Sequence, residues 1–245
     1  MRKIAPILLF TSSLLLLFSI YSIINWFEEN KENEIAKNHS IEVTNIKEEN
    51  KEEIYPYLYT DFTTLLNENK NVKGWIQVPD TNINYPVLQY TDNDYYLNHN
   101  YYNQHSTAGW IFLDYRNSIH TQDMNTIIYA HNRLDGSMFY TLKNTLTEEW
   151  NNHNKYIYFN TLKDMNTYEV FSVYTINAKE FKSITNHNTE KEYQKYLDDI
   201  INKSIIPLNV QISTTDKILT LYTCTMNNID RTILHAKLIQ TKSNR

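Results

Sequence analysis

Residues 218–239 read ILTLYTCTMNNIDRTILHAKLI. Two runs rich in Ile, Leu, Thr and Tyr, Ile218–Cys224 and Thr232–Ile239, flank a polar stretch containing Asn227 and Asn228. Such residues suit a pleated, half-buried surface, and the polar stretch supplies turn chemistry, so the spacing predicts a hairpin. Cys224 ends its first strand and Arg231 opens its second. An antiparallel return brings Arg231 back beside Cys224 and allows both side chains to face one cavity.

Working outward, more strand patterns precede this hairpin: Gly74–Val78, Ile83–Leu88, Trp110–Leu113, Asn125–Ala130, Tyr156–Asn160 and Tyr168–Ile176. Pro79-Asp80-Thr81-Asn82 punctuates the first two. One helix interrupts the series. Thr189-Glu190-Lys191-Glu192 is a capping box, and Tyr193, Tyr196, Leu197, Ile200 and Ile201 follow at helical spacing, predicting a helix over Thr189–Lys203. A second, amphipathic helix is predicted from Ile54, with Pro56 in its first turn and Leu58, Phe62, Leu65 and Leu66 on one face. Many short strands with few helices predict a mainly β fold with added helices, a barrel or a sandwich.

The length of 245 residues allows one domain plus an appendage, or two small domains. A net charge of −5 argues against a nucleic-acid binder that neutralises phosphates. Glycine occurs only at 74, 109 and 136, which excludes glycine-rich phosphate loops. A single cysteine excludes an internal disulfide framework and a cysteine-rich zinc site. His99 with His105 makes no metal-ligand set, so neither metal nor cofactor is expected.

Ile4–Ile24 carries no charge and is long enough to span a bilayer. Arg2 and Lys3 precede it, Glu28 and Glu29 follow it, and Trp26 and Phe27 suit an interfacial belt. A cleaved signal peptide is the competing reading, but the apolar run is longer than such a peptide needs and ends without a small-x-small site. The chain therefore divides into a cytoplasmic tip (1–3), a transmembrane anchor (4–27), a polar, at most partly helical stalk (28–53) and an extracellular domain (54–245).

A lone cysteine is usually a small buried hydrophobe. Outside the cell, at a strand end and beside a polar loop, Cys224 is also a candidate nucleophile. Its thiol needs a neighbouring imidazole. His39, His153 and His187 lie in polar stretches, whereas His131 ends the strand Asn125–Ala130 and can project toward Cys224. Taken alone, a satisfied structural histidine is the commoner reading.

Four ordered segments then matter together: GWIQVPDTNINYPVLQYTDNDYYL (74–97), GWIFLDYRN (109–117), NTIIYAHNRLDGSMFYTL (125–142) and TLYTCTMNNIDRTILHAKL (220–238). They resemble the class B sortases, membrane-anchored cysteine transpeptidases of Gram-positive bacteria. The resemblance implies a closed β-barrel of about eight strands with N-terminal helices and one helix before the cysteine-bearing strand. It implies Cys224 as nucleophile, His131 as catalytic histidine and Arg231 as catalytic arginine. It places Asn93 and Leu97 in the substrate groove, and Tyr222 and Thr223 beside the nucleophile as further substrate-binding candidates; core packing is the rival reading for Leu97. Asp114 and Arg116 are read as structural. Ala130 and Asp80 stand where the family usually carries glycine, and the loop from Cys224 to Arg231 is short for the class.

The implied partners are secreted proteins with a C-terminal Asn-Pro-x-Thr-like sorting signal. The implied acceptor is an amine of peptidoglycan or of its lipid-linked precursor. A pilus-polymerising sortase, a purely hydrolytic cysteine peptidase and a non-enzymatic membrane-tethered scaffold are the alternatives.

Overall fold

The computed structural model describes residues 4–44, 46–49, 55–120, 123–224 and 229–243. The elements run α1 (Ile4–Thr44), β1 (Lys47–Glu49), β2 (Tyr57–Tyr59), α2 (Thr63–Glu68), β3 (Val72–Gln77), β4 (Asn84–Leu88), β5 (Phe112–Leu113) and β6 (Asn125–Ala130). After them come α3 (Glu148–His153), β7 (Tyr156–Thr161), β8 (Asp164–Asn177), α4 (Glu190–Asn202), β9 (Ile218–Cys224) and β10 (Asp230–Ser243). Short 3-10 turns cover Tyr95–Leu97 and Tyr140–Leu146.

Eight strands close into a barrel in the order β10-β8-β7-β3-β4-β5-β6-β9. Closure removes the free edges of the barrel sheet, while β1 and β2 pair separately as a two-stranded antiparallel sheet. The pairs β4–β5 and β6–β9 are parallel; the other neighbours are antiparallel. Trp75, Tyr85, Tyr96, Tyr101 and Trp110 are fully buried, so aromatic side chains fill much of the core. Gly74 is required where β3 meets β7, because a Cβ there would sit 2.3 Å from the Asn160 carbonyl oxygen.

The predicted strands are present, several of them longer than their sequence pattern. The capping box also folds as read: Thr189 Oγ1 accepts from the Glu192 backbone N–H at 3.2 Å, and the Glu192 carboxylate accepts from the Asn188 N–H at 3.2 Å. Tyr193, Leu197 and Ile200 bury one face of α4 against Phe171, Tyr174 and Ile176 of β8.

Two expectations need correction. The helix predicted from Ile54 does not form over the described part of that segment: Leu58 lies in the strand β2, and helix begins only at Thr63. Pro56 disfavours helix in the residue before it, and the Tyr-rich run after it has strand propensity. Residues 28–44 are not a solvated stalk but the second half of α1, with Asn33, Ala36, Ser40 and Thr44 buried against the barrel domain. These four recur every three or four residues, and all are small or polar, so the docked stripe carries no large apolar signal. Lys37 Nζ donates to the Asn82 carbonyl at 2.8 Å and Asn33 Nδ2 to Ser106 Oγ at 3.2 Å. The tip 1–3 and positions 45 and 50–54 lie outside the described residues.

Asp80, at the position where glycine was expected, has φ 52, the left-handed conformation that Asp tolerates better than most residues. Ala130 stays in extended strand backbone at the end of β6.

A buried polar chain ties four barrel strands together. Tyr174 (β8) bonds His235 Nε2 (β10) at 3.0 Å, His235 Nδ1 bonds Thr220 Oγ1 (β9) at 2.8 Å, and Thr220 donates to Asn125 Oδ1 (β6) at 2.7 Å. Since Thr220 gives its proton to Asn125, His235 Nδ1–H must be the donor to Thr220, and Nε2 accepts from the tyrosine. Burial pushes the imidazole pKa down to about 3. The unfolded chain takes up this proton below about 6.5, the folded chain only near 3. Stability is therefore full above pH 6.5 and falls as pH drops toward 3, by up to about 1.4 kcal/mol per pH unit. Urea unfolding of the domain between pH 7 and 4 should show this slope, and His235→Gln should flatten it.

Candidate active site

Parallel pairing of β6 with β9 sets Ala130 beside Thr223. The next residues along the two strands, His131 and Cys224, therefore leave the same end of the barrel. Antiparallel pairing of β9 with β10 makes Arg231 the direct partner of Cys224. Three positions distant in sequence are thus gathered by backbone register alone. Residues 225–228 of the intervening loop, including Asn227 and Asn228, lie outside the described residues.

A cleft of about 350 Å³ opens at this end. His131, Arg231, Tyr222, Asn93 and Leu97 all line it, so five of the residues singled out from sequence share one cavity. Thr223 does not: its side chain is buried, and Oγ1 donates to the Ala130 carbonyl at 2.9 Å. Alternation along β9 explains this, since Thr223 faces opposite to Tyr222.

His131 Nε2 lies 2.8 Å from the Leu97 carbonyl oxygen. A carbonyl can only accept, so Nε2 carries a proton and Nδ1 is the nitrogen left to exchange one. Leu97 thus contributes its backbone carbonyl to the histidine, while its partly buried side chain packs against the hydrophobic core. Arg231 is held by its Nε donating to the Tyr222 hydroxyl at 2.8 Å and its Nη1 to the Asp230 carbonyl at 2.9 Å. Its guanidinium carbon also stands 5.8 Å from the centre of the Tyr222 ring.

Ala130 also lines it, as do Phe112, Tyr129, Phe181 and Ser183, which the sequence reading does not single out. Phe181 packs on Tyr222 with ring centres 4.2 Å apart, and Tyr129 meets Tyr222 edge-on at 5.4 Å. Phe181 and Ser183 come from the segment between β8 and α4, so that segment supplies this wall of the cleft directly while α4 covers β8.

Beneath the aromatic wall sits a buried carboxylate. Asp114 accepts from Arg116 Nε at 2.8 Å and Nη2 at 2.7 Å, from Tyr129 OH at 2.8 Å and from Asn93 Nδ2 at 3.0 Å. Burial alone would raise its pKa, but the arginine and the other donors together outweigh it, and the carboxyl is held below the ordinary aspartate range. Arg116 reaches on to Ser183 Oγ at 2.9 Å. Asp114 therefore orients Asn93, Tyr129 and, through Arg116, Ser183, all at the cleft, which is a structural role with a direct bearing on the site.

Residues 76–239 match the Sortase domain family. Sortase B of Listeria monocytogenes is 41% identical over 157 residues, which cover 64% of this chain and 63% of that protein. The chain thus spans somewhat under two thirds of that relative's length. Sortase B of Staphylococcus aureus is 34% identical over 182 residues, covering 73% of this chain and 75% of the relative. A crystal structure of sortase B from Bacillus anthracis superposes with a TM-score of 0.77 at 36% identity, covering 87% of this chain and 99% of that one. The closed eight-stranded barrel of this chain is the architecture of that sortase B structure. The chain belongs to the sortase family, with class B sortases as its relatives.

Proposed function

We propose that the chain is a membrane-anchored transpeptidase that cleaves an Asn-Pro-x-Thr-like sorting signal of secreted proteins after threonine. The new carboxyl is then joined to a peptidoglycan amine, free or lipid-linked. The observation that carries this reading is the register that sets Cys224 opposite Arg231 and beside the strand leading to His131.

The Cys224 thiolate attacks the threonine carbonyl carbon, and the carbonyl π electrons move onto oxygen. Arg231, fixed by Tyr222, donates charge-assisted hydrogen bonds to that oxyanion or to the substrate backbone. The C–N bond breaks as His131, in its imidazolium form, gives the Nδ1 proton to the leaving amine, leaving a thioester. Neutral His131 then takes a proton from the incoming amine, whose nitrogen attacks the thioester and releases the thiolate. The Leu97 carbonyl keeps the Nε2 proton in place throughout. The mainly apolar, aromatic wall limits water at the thioester, which favours transfer over hydrolysis.

The apolar half of α1 is long enough to cross a bilayer. The charge flanks favour a cytoplasmic N-terminus and an outward-facing barrel at the surface of a Gram-positive cell, with the division into tip (1–3), anchor (4–27) and domain as read from sequence.

Two results test the proposal. Purified protein incubated with sorting-signal peptides should release the fragment after threonine, and an added primary amine should convert the acid product into an amide. Product mass spectra with hydrolysis alone at every amine concentration would favour the peptidase alternative. Arg231→Lys should lower kcat about 100-fold to 1000-fold, because one ammonium cannot both hold Tyr222 and present a planar fork to the oxyanion. Steady-state kinetics of that variant checks this.

A further inference from the structure

We infer that the loop following His131 rests on the membrane surface, with Leu134 seated among the lipid headgroups. This rests on the proposal that α1 crosses the bilayer. Helix α1 is continuous from Ile4 to Thr44, so the anchor and its docked half form one rod. A helix rises about 1.5 Å per residue, which sets Asn30 only about 4.5 Å beyond Phe27, the end of the lipid segment. Two loops of the barrel domain grip α1 at this level. The Glu29 carboxylate accepts from the Thr107 N–H and hydroxyl, and Asn30 Oδ1 accepts from Arg133 Nη2. The headgroup layer on each face of a bilayer is roughly 5–7 Å deep and already holds Trp26 and Phe27, so the level of Asn30 falls at its outer boundary.

Leu134 follows Arg133 and is 72% exposed, more than any of the exposed apolar side chains along the lipid segment itself. A single exposed leucine is ordinary on a protein surface. Its position beside the residue that grips the membrane-proximal turn is what identifies the bilayer as its partner. The loop is also braced to hold that side chain outward. Asp135 accepts from Arg133 Nε at 3.1 Å and from the Ser137 N–H at 2.9 Å, and Asn82 Nδ2 donates to the Gly136 carbonyl at 3.2 Å. The loop base is tied to the site by the Phe139 N–H donating to the His131 carbonyl at 3.0 Å. Lipid contact at Leu134 therefore fixes the height and tilt of the cleft over the membrane, near any lipid-linked amine.

The test uses the full chain with Cys224→Ser, carrying one new cysteine at a time: Leu134→Cys, Trp26→Cys as the anchor reference, and Lys191→Cys on the exposed face of α4. Each is labelled with an environment-sensitive fluorophore and reconstituted into phosphatidylglycerol–phosphatidylcholine nanodiscs with nitroxide at headgroup depth. Quenching at 134 should exceed that at 191 several-fold and approach that at 26. Quenching at 134 equal to that at 191, with position 26 quenched, would overturn the inference and leave the anchor standing. A blue-shifted but unquenched label at 134 would mean contact with protein and would overturn it equally. Absence of quenching at 26 would remove the anchor reading and the inference with it.

Discussion

Cys224→Ala protein should neither cleave a sorting-signal peptide nor retain any covalent adduct, a loss on the order of 10⁴–10⁶ in kcat. The size of the effect follows from chemistry. In the proposed reaction the sulfur is the acyl carrier, and methyl has no lone pair to offer the carbonyl carbon. Position 224 is the last residue of β9 and is paired to Arg231 by the strand ladder, so the substitution removes the nucleophile without altering the register that builds the site. Peptide binding should persist, because Asn93, Leu97 and the aromatic wall are untouched. Peptide titration followed by fluorescence anisotropy, beside a cleavage assay, separates the two properties.

His131→Ala should cost about 10²–10⁴ in kcat with little change in KM. The imidazole serves both half-reactions in the proposed scheme, first as acid and then as base, and among the described residues no other histidine lines the cleft. The residue lies just past β6 and its side-chain bond is to a backbone carbonyl rather than to the core. Circular dichroism and the thermal midpoint should therefore stay close to those of the parent. Steady-state kinetics beside circular dichroism checks both.

The barrel was readable because its strands announce themselves. Asn125–Ala130 and Ile218–Cys224 match their predicted limits, and the hairpin that pairs Cys224 with Arg231 follows from turn chemistry at fixed spacing. Other features were not readable, each for a physical reason. The docked half of α1 buries Asn33, Ala36, Ser40 and Thr44, a stripe that hydropathy scores as solvent-facing. The segment ahead of α4 supplies Phe181 and Ser183 to the cleft from about forty positions before the cysteine, with no local pattern to mark them. Leu97 acts on His131 through its backbone carbonyl, a group every residue carries. The interior position of His235 could have been suspected, because it falls within a strand run between Leu234 and Ala236, both fully buried. Thr223 shows the cost of ignoring strand alternation: one position from Tyr222, it faces the other way.

The most direct test of the acyl-transfer mechanism is intact-protein mass spectrometry of the enzyme quenched in acid after mixing with a sorting-signal peptide in the absence of amine. The expected result is a mass gain equal to the peptide through its threonine, lost on adding hydroxylamine and mapped to Cys224. Continued cleavage with no such adduct, or with the adduct on another residue, would contradict it.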